Sequence, residues 1–266
     1  MKKSPLELSL ILLSHNRLEP IKRAVKSIFD FVETPAELII IDDNSLPEIK
    51  NYLKSIKPAK AVKRVIRHFF HDGINSISRS RNTGINLSNG KFIYFIADDY
   101  ELTPDSTRIL LQSMALSTRI GIVGPLYISK EKDLRFCGSA LNIESFPERK
   151  ISFEDLINMF EVDHITGMIK REVFDKAGLY DERFALRQED MDFSLRVKQE
   201  GFKIFCQPRA AVYHHRDIGS NVVAHDMQSA LALYRLKHNI TKFKFFKIAT
   251  TPALSNDFQG LPYTYE

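Results

Sequence analysis

The 266-residue chain is short of the residues that build a small stapled scaffold or a zinc module: it has two cysteines, Cys137 and Cys206, and no Cys-x-x-Cys pair. That scarcity argues against a disulfide framework and against a cysteine-based zinc site, and it points to a reducing setting. No stretch is long and apolar enough to span a bilayer, and no internal repeat or low-complexity tract stands out. The opening MKKSPLELSLILLSHNR sets two lysines before an apolar run, yet Glu7 interrupts the run, polar Ser14, His15 and Asn16 end it, and no small-residue cleavage site follows. A first core strand is expected here in place of a signal peptide, and a cytoplasmic protein with it. The loop after that strand, SHNRLEP, contains no glycine, which counts against the phosphate cradle that nucleotidyl transfer would want. Charge of one sign is not concentrated either. The net charge of +5 is spread along most of the chain, so no basic tract marks a nucleic-acid surface.

What is present is a repeated pattern of apolar strand followed by helix. LSLILL, IIID, Val62 to Arg67, KFIYFIA and IGIVGP read as strands, and the continuous apolar character of the first is that of a parallel strand covered on both faces. Helices are expected over Ile21 to Phe31, from Pro47 through Ile56, over Ser78 to Leu87, and from Pro104 to about Leu116. Further on, REVFDKAG and Glu189 to Glu200 read as helices closed by Gly178 and Gly201, and FKIFC and AVYHH as strands. Residues 126 to 163 fit no regular pattern. The alternation implies a doubly wound, mostly parallel α/β sheet over residues 1–225, with a helical tail over 226–266, and such sheets take their ligands beyond the carboxyl ends of the strands.

The chemistry-bearing residues gather at those ends. KFIYFIADDYELTP delivers Asp98 and Asp99 directly after a buried run. Thr103 before Pro104 reads as the cap of the next helix, which leaves both acids free; two hard oxygen donors suit Mg²⁺ or Mn²⁺ shared with substrate phosphates. Asp42 and Asp43 repeat the device. Ser45 and Glu48 around Pro47 read as a capping box, leaving Asp43 to accept hydrogen bonds from a nucleobase. In RQEDMDFSLRVKQEG, Asp192 and Arg196 are four apart and pair along one helix face, whereas Glu189 and Asp190 stand at a loop–helix junction where a carboxylate can act as a general base. In VYHHRDIGS, His214 is placed to complete the shell of a metal or to contact a diphosphate, with His215 the alternative.

Taken in order, LSLILLSHNR, IIIDDNS, SRSRNTGINLSNGKFIYFIADD, HITGMIKREVFDKAGLYDERF, EDMDFSLRVKQEG and YHH with its following Gly-Ser resemble the family 2 glycosyltransferases of the GT-A fold, over about residues 6 to 222. The resemblance implies an inverting transfer from a UDP, GDP or dTDP sugar to a hydroxyl of a glycan or lipid-linked acceptor, as in surface polysaccharide synthesis. It implies that Ser14, Asn16, Asp43, Arg81, Asn82 and Asp98 lie on the donor, with Asp43 at the base and Asp98 at the ribose. Asp99 with His214 would hold Mn²⁺ or Mg²⁺, Asp190 would be the catalytic base, and Glu189 would face the acceptor. The family's acid motif is usually Asp-x-Asp; here Ala97 stands at its first position and Asp99 at its third. The competing readings are a catalytically degenerate glycan- or nucleotide-binding module and a nucleotidyltransferase of related sheet architecture. The tail LYRLKHNITKFKFFKI mixes basic and apolar residues, as a helix lying on a membrane surface would, and it suggests peripheral contact with the inner membrane face.

Overall fold

The computed structural model describes residues 6–129, 134–137, 140–141, 161–162, 164–215 and 224–239. The chain divides into two compact units, Met1–Ser220 and Asn221–Glu266. In the first unit the strands are β1 (Leu8–Ser14), β2 (Ala36–Asp43), β3 (Val62–Phe70), β4 (Phe92–Ala97), β5 (Tyr100–Leu102), β6 (Ile120–Ser129), β7 (Leu134–Cys137), β8 (Ala140–Leu141), β9 (Met168–Lys170) and β10 (Lys203–His214). Between them lie α1 (Leu18–Phe31), α2 (Pro47–Ser55), α3 (Ile77–Leu87), α4 (Ser106–Met114), α5 (Arg171–Ala177) and α6 (Glu189–Gln199). The second unit contributes α7 (Ala224–His238).

The sheet runs β3-β2-β1-β4-β9-β6-β10-β5, with β7 and β8 branching from β6. β3, β2, β1 and β4 are mutually parallel, β6 and β10 are parallel, and β9 and β5 enter antiparallel. Strand order reverses between β1 and β4, so a crevice opens beyond their carboxyl ends, and both acid pairs stand at that edge. The strands around it are rigid because they are apolar on both faces. Leu10, Ile11 and Leu12 of β1, Ile39, Ile40 and Ile41 of β2 and Ile93 and Ile96 of β4 are fully buried, each worth about 1.5–3 kcal/mol of transfer free energy. Of the expected stripe Ile21, Val25, Ile28 and Phe29 of α1, the first three are buried and Phe29 is partly buried against the core. α3 lies so close on the sheet that a Cβ at Gly84 would meet Ile11 Cγ2 at 2.5 Å.

Several local expectations are corrected. Ser45 does not cap α2: the cap position is Leu46, without a side-chain cap bond, and Pro47 opens the helix. The Leu46 N–H donates instead to Asn16 Oδ1 at 2.8 Å, from the loop after β1, while Ser45 Oγ accepts the Asn16 N–H at 2.8 Å. Nor does Thr103 cap α4, which begins at Ser106 behind Asp105; Thr103 Oγ1 donates to the Ala211 carbonyl at 2.7 Å. The acid pair is still free of capping duty, because β5 separates it from the helix. The two strands expected at FKIFC and AVYHH are one, β10, with a register shift between Gln207 and Ala211 that accommodates Pro208, which has no N–H for the ladder. Cys206, fully buried on β10, is disulfide-bonded, so the cysteines do not carry the expectation of a reducing setting. Of the segment LYRLKHNITKFKFFKI read as a membrane-surface helix, only Leu233 to Asn239 are described, with Leu233 to His238 in α7. The rest of the tail helix, expected as far as Lys247, and all of residues 142 to 160 lie outside the described residues. No described helix is long and apolar enough to cross a membrane.

Candidate active site

The site is built from loops that the sheet brings together. β1 ends at Ser14, in register with Asp42 of β2, and Leu13 lies beside Ala97 of β4, so the loop after β1 passes between the two acid pairs. It turns sharply at Asn16, whose φ of 52° is left-handed, a region asparagine tolerates better than most residues. The His15 ring, through Nδ1, donates to the Asp43 carbonyl at 2.6 Å. The loop delivers Arg17 to the other acid pair: Nη1 lies 3.0 Å from Asp99 Oδ2 and Nε 3.2 Å from Asp98 Oδ2, with Nη2 on Asp98 Oδ1. Sequence reasoning missed Arg17, since nothing local ties it to acids more than 80 positions away.

Asp43, at the end of β2, has one committed oxygen. Oδ2 accepts the Ser76 N–H at 3.0 Å, while Oδ1 is buried with no partner among the described residues, and burial raises the carboxyl above its usual range. An orphaned, desolvated acceptor of this kind suits the N–H of a planar ligand. Asp42 is fully buried, its Oδ2 accepting the Ser45 N–H at 3.1 Å and its Oδ1 likewise without a partner among the described residues. Ser14 is buried at the strand end, its Oγ without a partner among the described residues.

Asp98 and Asp99 differ in character although adjacent. Burial raises Asp98 to about 6, against the lowering by Arg17. Burial also acts to raise Asp99, but His214 and Arg17 together hold it below its usual range. His214 Nε2 sits 3.5 Å from Asp99 Oδ2, and that approach follows from strand register: β10 runs antiparallel to β5, His214 is opposite Tyr100, and the His215 N–H donates to the Asp99 carbonyl at 2.9 Å. The His215 ring points elsewhere, Nε2 lying 2.7 Å from Glu101 Oε2. Tyr100 and Tyr127 wall His214, with ring centroids 5.0 and 6.1 Å away. These aromatics carry no motif and were not anticipated.

Among the described residues no group of three His, Cys, Asp or Glu side chains converges as a ready cation cage. The donor chemistry at the pair nevertheless fits a hard divalent ion that completes its shell with ligand and water oxygens: two adjacent carboxylates, with Asp99 Oδ1 buried and lacking a partner among the described residues.

The third centre lies at the start of α6. Gln188, at a left-handed φ of 65°, turns the chain so that Glu189 and Asp190 form the first turn. Glu189 is buried and its Oε1 accepts from Arg81 Nη1 at 3.1 Å; burial first, then the charge of Asp190, raises it to about 7 despite Arg81. The Arg81 guanidinium lies against the Tyr180 and Phe95 rings, 4.9 and 5.5 Å from their centroids, and Nη2 reaches Thr166 Oγ1 at 3.4 Å. Asp190 is half-buried, its Oδ1 accepting the Met191 N–H at 2.8 Å. Asp192 is fully buried and takes both Nε and Nη2 of Arg196 at 3.0 and 2.9 Å, the pairing its spacing implied. Burial raises the Tyr100 hydroxyl, and the charge of Asp99 acts in the same direction.

Two expected donor residues do other work in this geometry. Asn82 Nδ2 donates to the Tyr180 carbonyl and to Glu182 Oε1, each at 2.9 Å, and Oδ1 accepts the Tyr180 N–H at 2.9 Å, so the amide braces the loop before α6. Asn16 likewise ties the β1 loop to the start of α2.

Comparison with known proteins accords with this architecture. Residues 9–178 match the model of glycosyl transferase family 2. The chain is 25% identical over 225 residues to the O-antigen biosynthesis protein RfbC of Myxococcus xanthus, covering 79% of this chain and 17% of that one. It is 29% identical over 147 residues to the GalNAc(5)-diNAcBac-PP-undecaprenol beta-1,3-glucosyltransferase of Campylobacter jejuni, covering 54% and 46%. It is 24% identical over 225 residues to the low-salt glycan biosynthesis hexosyltransferase Agl10 of Haloferax volcanii, covering 78% and 67%. The chain therefore spans less than half the length of the first two. The crystal structure of S. aureus TarS 1-349 in complex with UDP superposes with a TM-score of 0.63 at 14% identity, over 87% of this chain and 65% of that one, which establishes the shared GT-A fold. With the family model matched across well over half its length and the fold agreeing, the chain belongs to glycosyl transferase family 2.

Proposed function

We propose that the chain is an inverting glycosyltransferase that moves a sugar from a nucleotide diphosphate donor to a hydroxyl of a glycan or lipid-linked acceptor, in surface polysaccharide synthesis. The observation that carries this reading is the acid pair Asp98–Asp99 at the end of β4, beside the switch point of the sheet and held by Arg17, together with Asp190 at the start of α6 next to the buried Glu189–Arg81 pair. Inversion is an in-line displacement at the anomeric carbon. It needs a base for the acceptor proton on one side and positive charge for the departing diphosphate on the other.

Asp190 is the base in this proposal: it is half-buried at the start of α6, with one oxygen held by the Met191 N–H. Glu189, expected on the acceptor side, is buried against Arg81 and acts as a positioning residue for its neighbour. Asp43 takes the nucleobase, supported by its orphaned Oδ1, and Ser14 lines the same crevice. Asp98 lies toward the ribose, while Asp99 with His214 would hold Mn²⁺ or Mg²⁺. Such an ion, when bound, supplies Lewis-acid neutralisation of the leaving diphosphate. Asn16, Arg81 and Asn82 act on the donor indirectly, by fixing the loops that carry Arg17, Asp190 and Tyr180. No covalent intermediate with the protein is required.

A nucleotide donor is supported by the UDP complex of the similar TarS protein, and a lipid-linked acceptor by the PP-undecaprenol in the name of the C. jejuni relative. The test is a panel of UDP, GDP and dTDP sugars with Mn²⁺ or Mg²⁺, scored by nucleotide release in the presence of candidate acceptors. Release from one donor class supports the reading. Nucleotide binding without release from any sugar would favour the degenerate binding module instead.

A further inference from the structure

Arg17 occupies the place where positive charge is wanted. Its guanidinium engages both oxygens of Asp98 and Oδ2 of Asp99 and leaves only the buried Asp99 Oδ1 without a partner among the described residues. The backbone beneath it is braced by Asn16, bonded to Ser45 and Leu46, and by the His15 ring on the Asp43 carbonyl. Yet the side chain of Arg17 is 34% exposed, while the carboxylates it covers are 5% and 11% exposed, so the guanidinium is a lid on the acid pair that can leave toward solvent.

We propose that Arg17 is an internal competitor for the Asp98–Asp99 pair: it weakens capture of a free divalent cation until a donor diphosphate offers the guanidinium another partner. The inference rests on the donor-site reading above. Two carboxylates with one guanidinium carry a formal charge of −1, and without it −2, so removing Arg17 strengthens the attraction for a divalent ion. A guanidinium fork matches a carboxylate and a diphosphate equally well, so Arg17 exchanges one bidentate anion for another without losing its hydrogen bonds. Cation and donor are thereby coupled: each binds better once the other is present.

The experiment is Mn²⁺ titration of the whole chain followed by electron paramagnetic resonance of free Mn²⁺, with and without UDP. Wild type, Arg17→Gln, Arg17→Lys and Asp99→Asn are compared, with circular dichroism melts confirming folding. Without nucleotide, Arg17→Gln is expected to bind Mn²⁺ about tenfold more tightly than wild type, and Arg17→Lys, which keeps the charge but loses the fork, to tighten it by a smaller factor. UDP should tighten Mn²⁺ binding strongly in wild type and much less in Arg17→Gln. Unchanged or weaker Mn²⁺ binding in both Arg17 variants overturns the proposal. If Arg17→Gln does not fold, failure of UDP to tighten Mn²⁺ binding to wild type overturns it equally. Failure of the donor-site reading is seen separately, as absence of UDP binding to wild type or as full Mn²⁺ binding by Asp99→Asn.

Discussion

Replacing Glu189 by glutamine should make the protein's stability less dependent on pH, in a direction opposite to that of an ordinary surface salt bridge. Glu189 and Arg81 are both buried, with side chains 9% and 8% exposed and 3.1 Å apart. Burial and the neighbouring charge of Asp190 raise the Glu189 carboxyl from 4.5 to about 7 although Arg81 pulls it down. The folded state therefore holds this proton more tightly than the unfolded state does. The sign follows from linkage: where the native state binds more protons, stability falls as pH rises, here from the ordinary glutamate range up to about 7. At pH 5 the wild-type side chain is a neutral acid and glutamine is nearly its isostere, so the two proteins should differ by less than about 1 kcal/mol. By pH 8 wild type has lost the contribution and the variant has not. The gap between 4.5 and about 7 bounds the divergence of the two curves at about 3 kcal/mol, and solvent relaxation makes about 1–2 kcal/mol the expected size. All other titrating groups are common to both proteins, so the difference isolates Glu189. Glu189→Ala should behave otherwise, costing about 3 kcal/mol or more at pH 8, because it strips a buried guanidinium of its partner. Urea denaturation at a series of pH values reads all three proteins. Parallel stability curves for wild type and Glu189→Gln would refute the reasoning.

Three further substitutions probe other parts of the site. Asp190→Asn should lower the transfer rate by about 10²- to 10⁴-fold while leaving UDP affinity unchanged, read by nucleotide release and calorimetry; near-normal turnover would remove Asp190 from the role of base. Asp43→Ala should weaken nucleotide binding by roughly tenfold or more, since it deletes the acceptor whose Oδ1 has no partner among the described residues, and should also cost about 1–3 kcal/mol of stability, because the buried Ser76 N–H loses its acceptor. Gly167→Ala should cost about 1–3 kcal/mol by thermal melt, because its Cβ would collide with the Val123 carbonyl oxygen and meet Gly124 Cα at 2.5 Å, backbone atoms that cannot swing aside.

The disagreements between sequence and structure have a common form. Strand and helix positions agreed to within a few residues wherever an apolar run or stripe was long, as in β1, β4 and α1, because burial of such a run outweighs local alternatives. Helix caps failed at Ser45 and Thr103, where a partner distant in sequence, in the loop after β1 for Ser45 and in strand β10 for Thr103, won over the adjacent one. The Asp192–Arg196 pair was readable because helical spacing alone places four-apart residues side by side. The amides of Asn16 and Asn82 brace loops, a use visible only once residues about 30 and 98 positions away are in place.

Local sequence by itself determined that this chain would form strands ending in acid pairs, since a buried run followed by paired aspartates is complete within a dozen residues. The order of those pieces was enough to point to the family. Tertiary structure alone decided how the acids are used. Asp98 and Asp99 meet Arg17 across separations of 81 and 82 residues because β1 and β4 are neighbours at the switch point of the sheet. His214 and not His215 faces Asp99 because the register of β10 on β5 alternates their side chains between two faces. Neither fact is written in local periodicity, since each depends on which strands lie side by side.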